Sequence, residues 1–188
     1  DEYISGGRQI RDYFNSDDVQ LFILIDTGTG SRELFNQRET QHMSDVKDLV
    51  SSVYRIQEGT LLLMLLFMSL GFLFRGSGFT PTLSRLLTYG SAATLILVAT
   101  VGLGSLVAFN RVFTLFHEVS FANDFWLLDP KTSFLVRMFP FDFWLEATII
   151  LAIGSVAEVG AIVMSIAVIR LWQRRRERIA ASRIPRYI

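Results

Sequence analysis

Cysteine is absent from the 188 residues. Its absence excludes a disulfide framework, a thiol nucleophile and a Cys-ligated metal. Net charge is missing too. The 18 basic and 18 acidic residues cancel, so no long-range field draws the chain to nucleic acid. Histidine is scarce: His42 and His117 stand alone, with neither an HxxxH nor an HxH spacing to suggest a metal. No GxSxG elbow occurs. Thr27–Ser31 (TGTGS) is Gly-rich and reads as a turn, but it lacks the Lys and the strand–helix context of a phosphate loop. No cofactor and no metal are therefore expected.

What the chain has in quantity is apolar surface. Hydrophobic residues make up 51% of it, in long blocks, and most of the charge is confined to the two ends. Thr60–Phe74 is uncharged but short for a span, which needs about 20 residues, so its helix is expected to begin earlier. Leu86–Phe109 is long enough alone, and Trp144–Trp172 carries a Trp at each end, where interfacial aromatics sit. These stretches are apolar all round rather than on one face, which favours lipid over a soluble core. The expected fold is mainly α: a polytopic membrane helical bundle with three visible spans, a fourth expected upstream, and a small extracytoplasmic cap of short strands and a helix.

Lys and Arg counts near the span ends set the orientation. Arg75–Arg85 has two Arg and no acid, and Arg170–Ile188 has seven Arg against Glu177. Asp1–Glu58 has six basic and eleven acidic residues, and Asn110–Glu146 three against five. The expected order is an extracytoplasmic segment 1–58, a span 59–74, a cytoplasmic loop 75–85 and a span 86–109. An extracytoplasmic aromatic-rich segment 110–143, a span 144–172 and a basic cytoplasmic tail 173–188 follow. The cytoplasmic membrane is the expected location, with membrane lipids as its surroundings.

In the first outward segment, Val19–Ile25 (VQLFILI) is consistent with a strand. A helix is expected from about residue 36, because Asn36 and Glu39 have the spacing at which each side chain satisfies the other's free backbone N–H. His42, Val46, Leu49, Val53 and Ile56 then share its apolar face. The second outward segment is crowded with Phe and Trp. Pro130 and Pro140 exclude one continuous helix, leaving an interfacial segment or a packed loop.

Chemistry has few places to reside. Both histidines lie in outward segments, and imidazole is the side chain best able to exchange a proton near neutral pH. Around His117, Asn123, Asp124 and Asp129 are groups that could orient a ring. A histidine on an apolar helix face is also often a hydrogen-bonded structural residue. Glu158 lies fourteen residues from Trp144 and fourteen from Trp172, near a midplane, where a carboxylate is a functional candidate. Its small neighbours Gly154, Ser155, Ala157, Gly160 and Ala161 suit a close helix contact instead.

Phe35–Leu49 (FNQRETQHMSDVKDL) and Phe116–Trp144 (FHEVSFANDFWLLDPKTSFLVRMFPFDFW) resemble the bacterial membrane family of lipoprotein intramolecular transacylases. With the spans between them, the resemblance covers most of Asp12–Trp172. It implies four spans, with extracytoplasmic segments after the first and third. It also implies a diacylglyceryl lipoprotein as substrate. One acyl chain passes from the glycerol's internal ester to the amine of the N-terminal cysteine, leaving a lyso-form lipoprotein. The motif histidines of the family fall on His42 and His117, with Asn123, Asp124 and Asp129 as support. Ser120, Ala122 and Phe125 depart from the family pattern. Two other classes compete: a non-catalytic subunit with membrane protein partners, packing through Gly102–Ser105 and Gly154–Ala161, and a proton-coupled transporter using Glu158.

Overall fold

In a computed structural model, residues 2–26 and 30–182 are described. The order is α1 (Glu2–Phe14), β1 (Leu24–Asp26), β2 (Ser31–Glu33), α2 (Gln37–Arg75), a 3-10 turn (Gly76–Phe79), α3 (Thr80–Ser120), α4 (Phe134–Met138) and α5 (Phe141–Ser182). The chain divides into two units. One is Asp1–Met64 with Ala108–Glu146; the other is Leu65–Val107 with Ala147–Ile188.

The first unit holds a small hydrophobic core of Ile10, Tyr13, Leu21, Ile23, Phe35, Met43 and Leu135. Ile10 and Tyr13 stand one turn apart on α1, a helix that the sequence reading left unassigned. Adjacent Gly6 and Gly7 lower its propensity, and tertiary packing supplies what propensity withholds: a Cβ at Gly6 would come within 3.2 Å of the Met138 methyl.

The expected strand over Val19–Ile25 is shorter than drawn. Pairing is antiparallel and runs from Leu24 opposite Glu33 to Asp26 opposite Ser31, with one further bond from Leu34 N–H to the Ile23 carbonyl, 2.8 Å. The in–out alternation of a strand reaches back only to Leu21: Leu21 and Ile23 are buried while Phe22 and Leu24 are exposed, and Val19, on the buried side of that pattern, is exposed. Beyond Glu33 the other strand is consumed by the turn into α2, so no ladder can extend. Of the expected turn at Thr27–Ser31, Thr27–Thr29 lie outside the described residues.

Lys47 on α2 fastens the segment that follows α1. Its ammonium donates to the carbonyls of Ser16 and Asp18, both at 2.7 Å, and lies 4.2 Å from the centre of the Tyr13 ring. Ser44 Oγ donates to the Val19 carbonyl at 3.1 Å.

Two helical stretches are long and apolar enough to cross a membrane: Gln37–Ser120, in which the 3-10 turn joins α2 to α3, and Phe141–Arg176. Within the second unit, Gly76 has φ 51°, the left-handed geometry that ends a helix at little cost for glycine. Phe79 then folds back under α2, 3% exposed, edge-on to Phe67 and Phe72. A Cβ at Gly71 would meet its ring at 2.4 Å, so only glycine fits there. Val159 and Ile166 are buried as well, but most large apolar side chains of this unit face outward: Leu73, Ile96, Leu151 and Met164 are each more than 60% exposed.

Candidate active site

The site grows from the first turn of α2. Asn36 Oδ1 accepts from Arg38 N–H at 2.9 Å and Glu39 N–H at 3.1 Å, and Glu39 Oε2 accepts from Asn36 N–H at 2.8 Å. The reciprocal cap expected from the Asn36–Glu39 spacing is present. Glu39 does more than cap. Its other oxygen, Oε1, accepts from Ser133 Oγ at 2.5 Å and from Leu135 N–H at 2.9 Å. Ser133 in turn caps α4 by accepting from Val136 N–H. One buried carboxylate, 1% exposed, therefore ties the start of α2 to the start of α4 through three hydrogen bonds.

One turn further along α2 stands His42, 8% exposed. On α3, Ala108 (φ −147°, ψ 53°) interrupts the helix, which then continues eleven residues beyond the expected span end at Phe109, to Ser120. That extension carries Phe113 and His117 one turn apart, with Phe121 immediately after it. His117 is 7% exposed. The two imidazoles meet with ring centroids 5.7 Å apart. Phe121 is shared between them, 5.2 Å from His42 and 5.5 Å from His117. Phe113 at 4.3 Å, Phe116 at 5.2 Å and Trp126 at 5.1 Å complete an aromatic wall around His117.

Tautomer and protonation follow from these surroundings. His117 Nδ1 lies 2.8 Å from the Phe113 carbonyl. A carbonyl only accepts, so Nδ1 carries the proton and Nε2 keeps its lone pair. His42 Nδ1 is buried with no hydrogen-bond partner among the described residues. Burial pushes the His42 imidazole down to about 4, helped by the neighbouring His117 and opposed by Asp45. Burial also lowers His117, against the Phe113 hydrogen bond. Both rings are neutral at pH 7. One offers a base, and both offer a donor.

The loop 121–133 is buried at its ends, Phe121 and Ser133, and is tied to α2 between them. Asn123 Nδ2 donates to Asp45 Oδ2 at 2.9 Å, and Asn123 Oδ1 accepts from Phe125 N–H at 3.1 Å. Asn123 thus links the loop to α2 three residues past His42. The Asp124 contribution is its backbone carbonyl, which accepts from the Arg38 guanidinium. The same guanidinium lies over the Phe125 ring at 5.8 Å, which accounts for an aromatic residue there. The Asp129 carboxylate accepts from Lys131 N–H and shapes the turn leading to Ser133. Glu158 belongs to the other unit, on an exposed helix face. Its neighbours Gly154 and Gly160 have open space where a Cβ would stand. Among the described residues no three His, Asp or Glu side chains converge as a metal's ligands would.

Sequence reasoning missed three contributors. Asp45 sits inside the quoted HMSDVK string, and Glu39 was read as a cap alone. The wall of Phe113, Phe121 and Trp126 was legible as far as the spacing of four between Phe113, His117 and Phe121, which puts all three on one helix face.

Among solved structures, the membrane integral lipoprotein intramolecular transacylase Lit from Bacillus cereus is similar, with TM-score 0.66 and 19% identity over 95% of this chain and 75% of that one. Comparison with curated proteins finds no match. The family model described as lipoprotein intramolecular transacylase Lit matches residues 4–144, a stretch that contains both histidines, Glu39, Asp45 and the aromatic wall. The chain belongs to the lipoprotein intramolecular transacylase family.

Proposed function

We propose that this protein moves an acyl chain from the glycerol ester of a diacylglyceryl lipoprotein to its N-terminal cysteine amine, and that His42 and His117 carry the step. The reaction takes place at the outer face of the bacterial cytoplasmic membrane. Spans near 59–74, 86–109 and 144–172 place 1–58 and 110–143 outside and the basic tail inside, in keeping with the Lys and Arg distribution.

The observation that carries the proposal is the meeting of two histidines distant in sequence, ring centroids 5.7 Å apart, against a shared wall of aromatic rings. Amide formation needs a neutral amine, a base for its proton and a donor for the oxyanion and the leaving alkoxide. His117 supplies the base. Its Nδ1–H is anchored on Phe113, so Nε2 takes the proton that the amine loses as its nitrogen attacks the ester carbonyl. The neutral His42 ring donates an N–H to the carbonyl oxygen as charge develops there. When the C–O bond to glycerol breaks, the proton held by His117 passes to the departing oxygen. An amide and a free hydroxyl result, and both rings return to their starting state. No protein nucleophile is required. Ester and amine belong to one lipoprotein molecule, so binding makes the transfer effectively unimolecular, which can remove about 7–11 kcal/mol of barrier. Burial serves this scheme twice: it keeps both imidazoles neutral and excludes the water that would hydrolyse the ester.

The test replaces His42 and His117 singly with Ala and follows the acyl pattern of a reporter lipoprotein by mass spectrometry. Each variant should lose lyso-form production by about 100-fold or more. Unchanged production in both would end the histidine mechanism.

A further inference from the structure

The second unit has a recess that the acyl-transfer site does not use. It is a cavity of about 440 Å³ between the start of α3, Thr80–Tyr89, and α5 at Ile166–Gln173. Its lining combines Leu83, Leu87, Ile166 and Ile169 with two guanidinium side chains, Arg85 and Arg170, and contains no acidic residue. The Arg170 fork is turned onto α3, where the neutral Ser84 hydroxyl accepts from Nε at 3.1 Å and from Nη2 at 2.7 Å. A hydroxyl orients the guanidinium but does not neutralise it. Acidic residues are sparse in the sequence around them: 75–85 carries no acid, and along α5 the flanking acids are Glu158, twelve residues before Arg170, and Glu177, seven after it. Six residues past Arg170 along α5, Arg176 lies over the Trp172 ring at 3.7 Å, the kind of aromatic found at the headgroup level of a membrane.

We propose that this recess binds an anionic glycerophospholipid, its phosphate held by Arg170 and Arg85 and its acyl chains laid against Leu83, Leu87, Ile166 and Ile169. A guanidinium fork matches phosphate oxygens in a bidentate manner, and basic recesses between membrane helices take anionic headgroups. A zwitterionic lipid would leave the two positive charges uncompensated. A soluble anion would leave the apolar floor without a partner. With the orientation given above, the site faces the cytoplasmic leaflet, so it serves anchoring rather than acyl transfer.

The experiment uses the full chain purified in a neutral detergent, with bound lipid read by native mass spectrometry. Dioleoyl phosphatidylglycerol should be retained at least about tenfold better than dioleoyl phosphatidylcholine. The R85A/R170A variant should lose that preference, and R170K should weaken it, because Lys keeps the charge without the fork. Equal retention of the two lipids by the unaltered protein would overturn the proposal without reference to any variant. So would full retention of phosphatidylglycerol by R85A/R170A, or its displacement by millimolar inorganic phosphate, which would make the recess a soluble-anion site.

Discussion

The two units are built from the same helices and held by different forces. In the first, polar side chains are buried or half-buried and used: Glu39, Ser133, Lys47, Asn123 and Asp45 all bond to residues far away in sequence. In the second, the polar contacts across elements include the Arg170–Ser84 pair, and most large apolar side chains point outward. A unit that works in water and at the headgroups needs directional bonds to fix a site. One surrounded by lipid needs little more than helical backbone, which satisfies its own hydrogen bonds, and a few close approaches. Chemistry sits where the geometry is fixed.

The contrast can be broken most severely at Glu39. Replacing it with Ala leaves Ser133 and the Leu135 and Asn36 N–H groups without their acceptor, and should destabilise the first unit by about 3 kcal/mol. Lyso-form production should fall as α4 detaches. Glu39→Gln keeps one acceptor and should cost roughly half as much, read as the shift in thermal unfolding in detergent. In the second unit the comparable change is steric. Gly71→Val should cost about 1–3 kcal/mol by displacing the Phe79 ring, and Phe79→Ala in the same chain should recover part of the loss.

Acid distinguishes the units next. The His42 and His117 imidazoles lie below the ordinary 6.5 in the folded chain, His42 at about 4. The unfolded chain therefore binds more protons between these values, and stability falls as pH drops from about 6.5 toward 4. His42→Gln should flatten that fall. A variant with unaltered acid sensitivity would show that its ring is not held neutral by burial. Smallest of all is the effect expected at Glu158. It lies on an exposed face apart from the histidine network, so Glu158→Gln should leave lyso-form production within about twofold.

Much of this was legible before any coordinates, and for identifiable reasons. Capping by Asn36 and Glu39 is local chemistry, so spacing alone revealed it. The span helices announce themselves because a lipid environment demands long runs of one composition. Both histidines stood out through scarcity and their surrounding motifs. What stayed hidden depends on long-range partners. The second oxygen of Glu39 binds residues 94 and 96 positions away, which no window of sequence displays. Helix α1 was missed because its two glycines mask a face that only the core of Leu21, Ile23 and Leu135 stabilises. Asn123 bonds to Asp45 and to the Phe125 N–H, while Asp124 and Asp129 shape the loop with a carbonyl and a turn.

The central claim is that His42 and His117 act as one unit on one substrate. It is tested most directly by the initial rate of lyso-form production in His42→Ala, His117→Ala and the double variant, measured on the same lipoprotein. Residues that share a step are non-additive, so the double variant should be no slower than the slower single one. Losses that multiply, or a single variant with undiminished rate, would contradict the shared site.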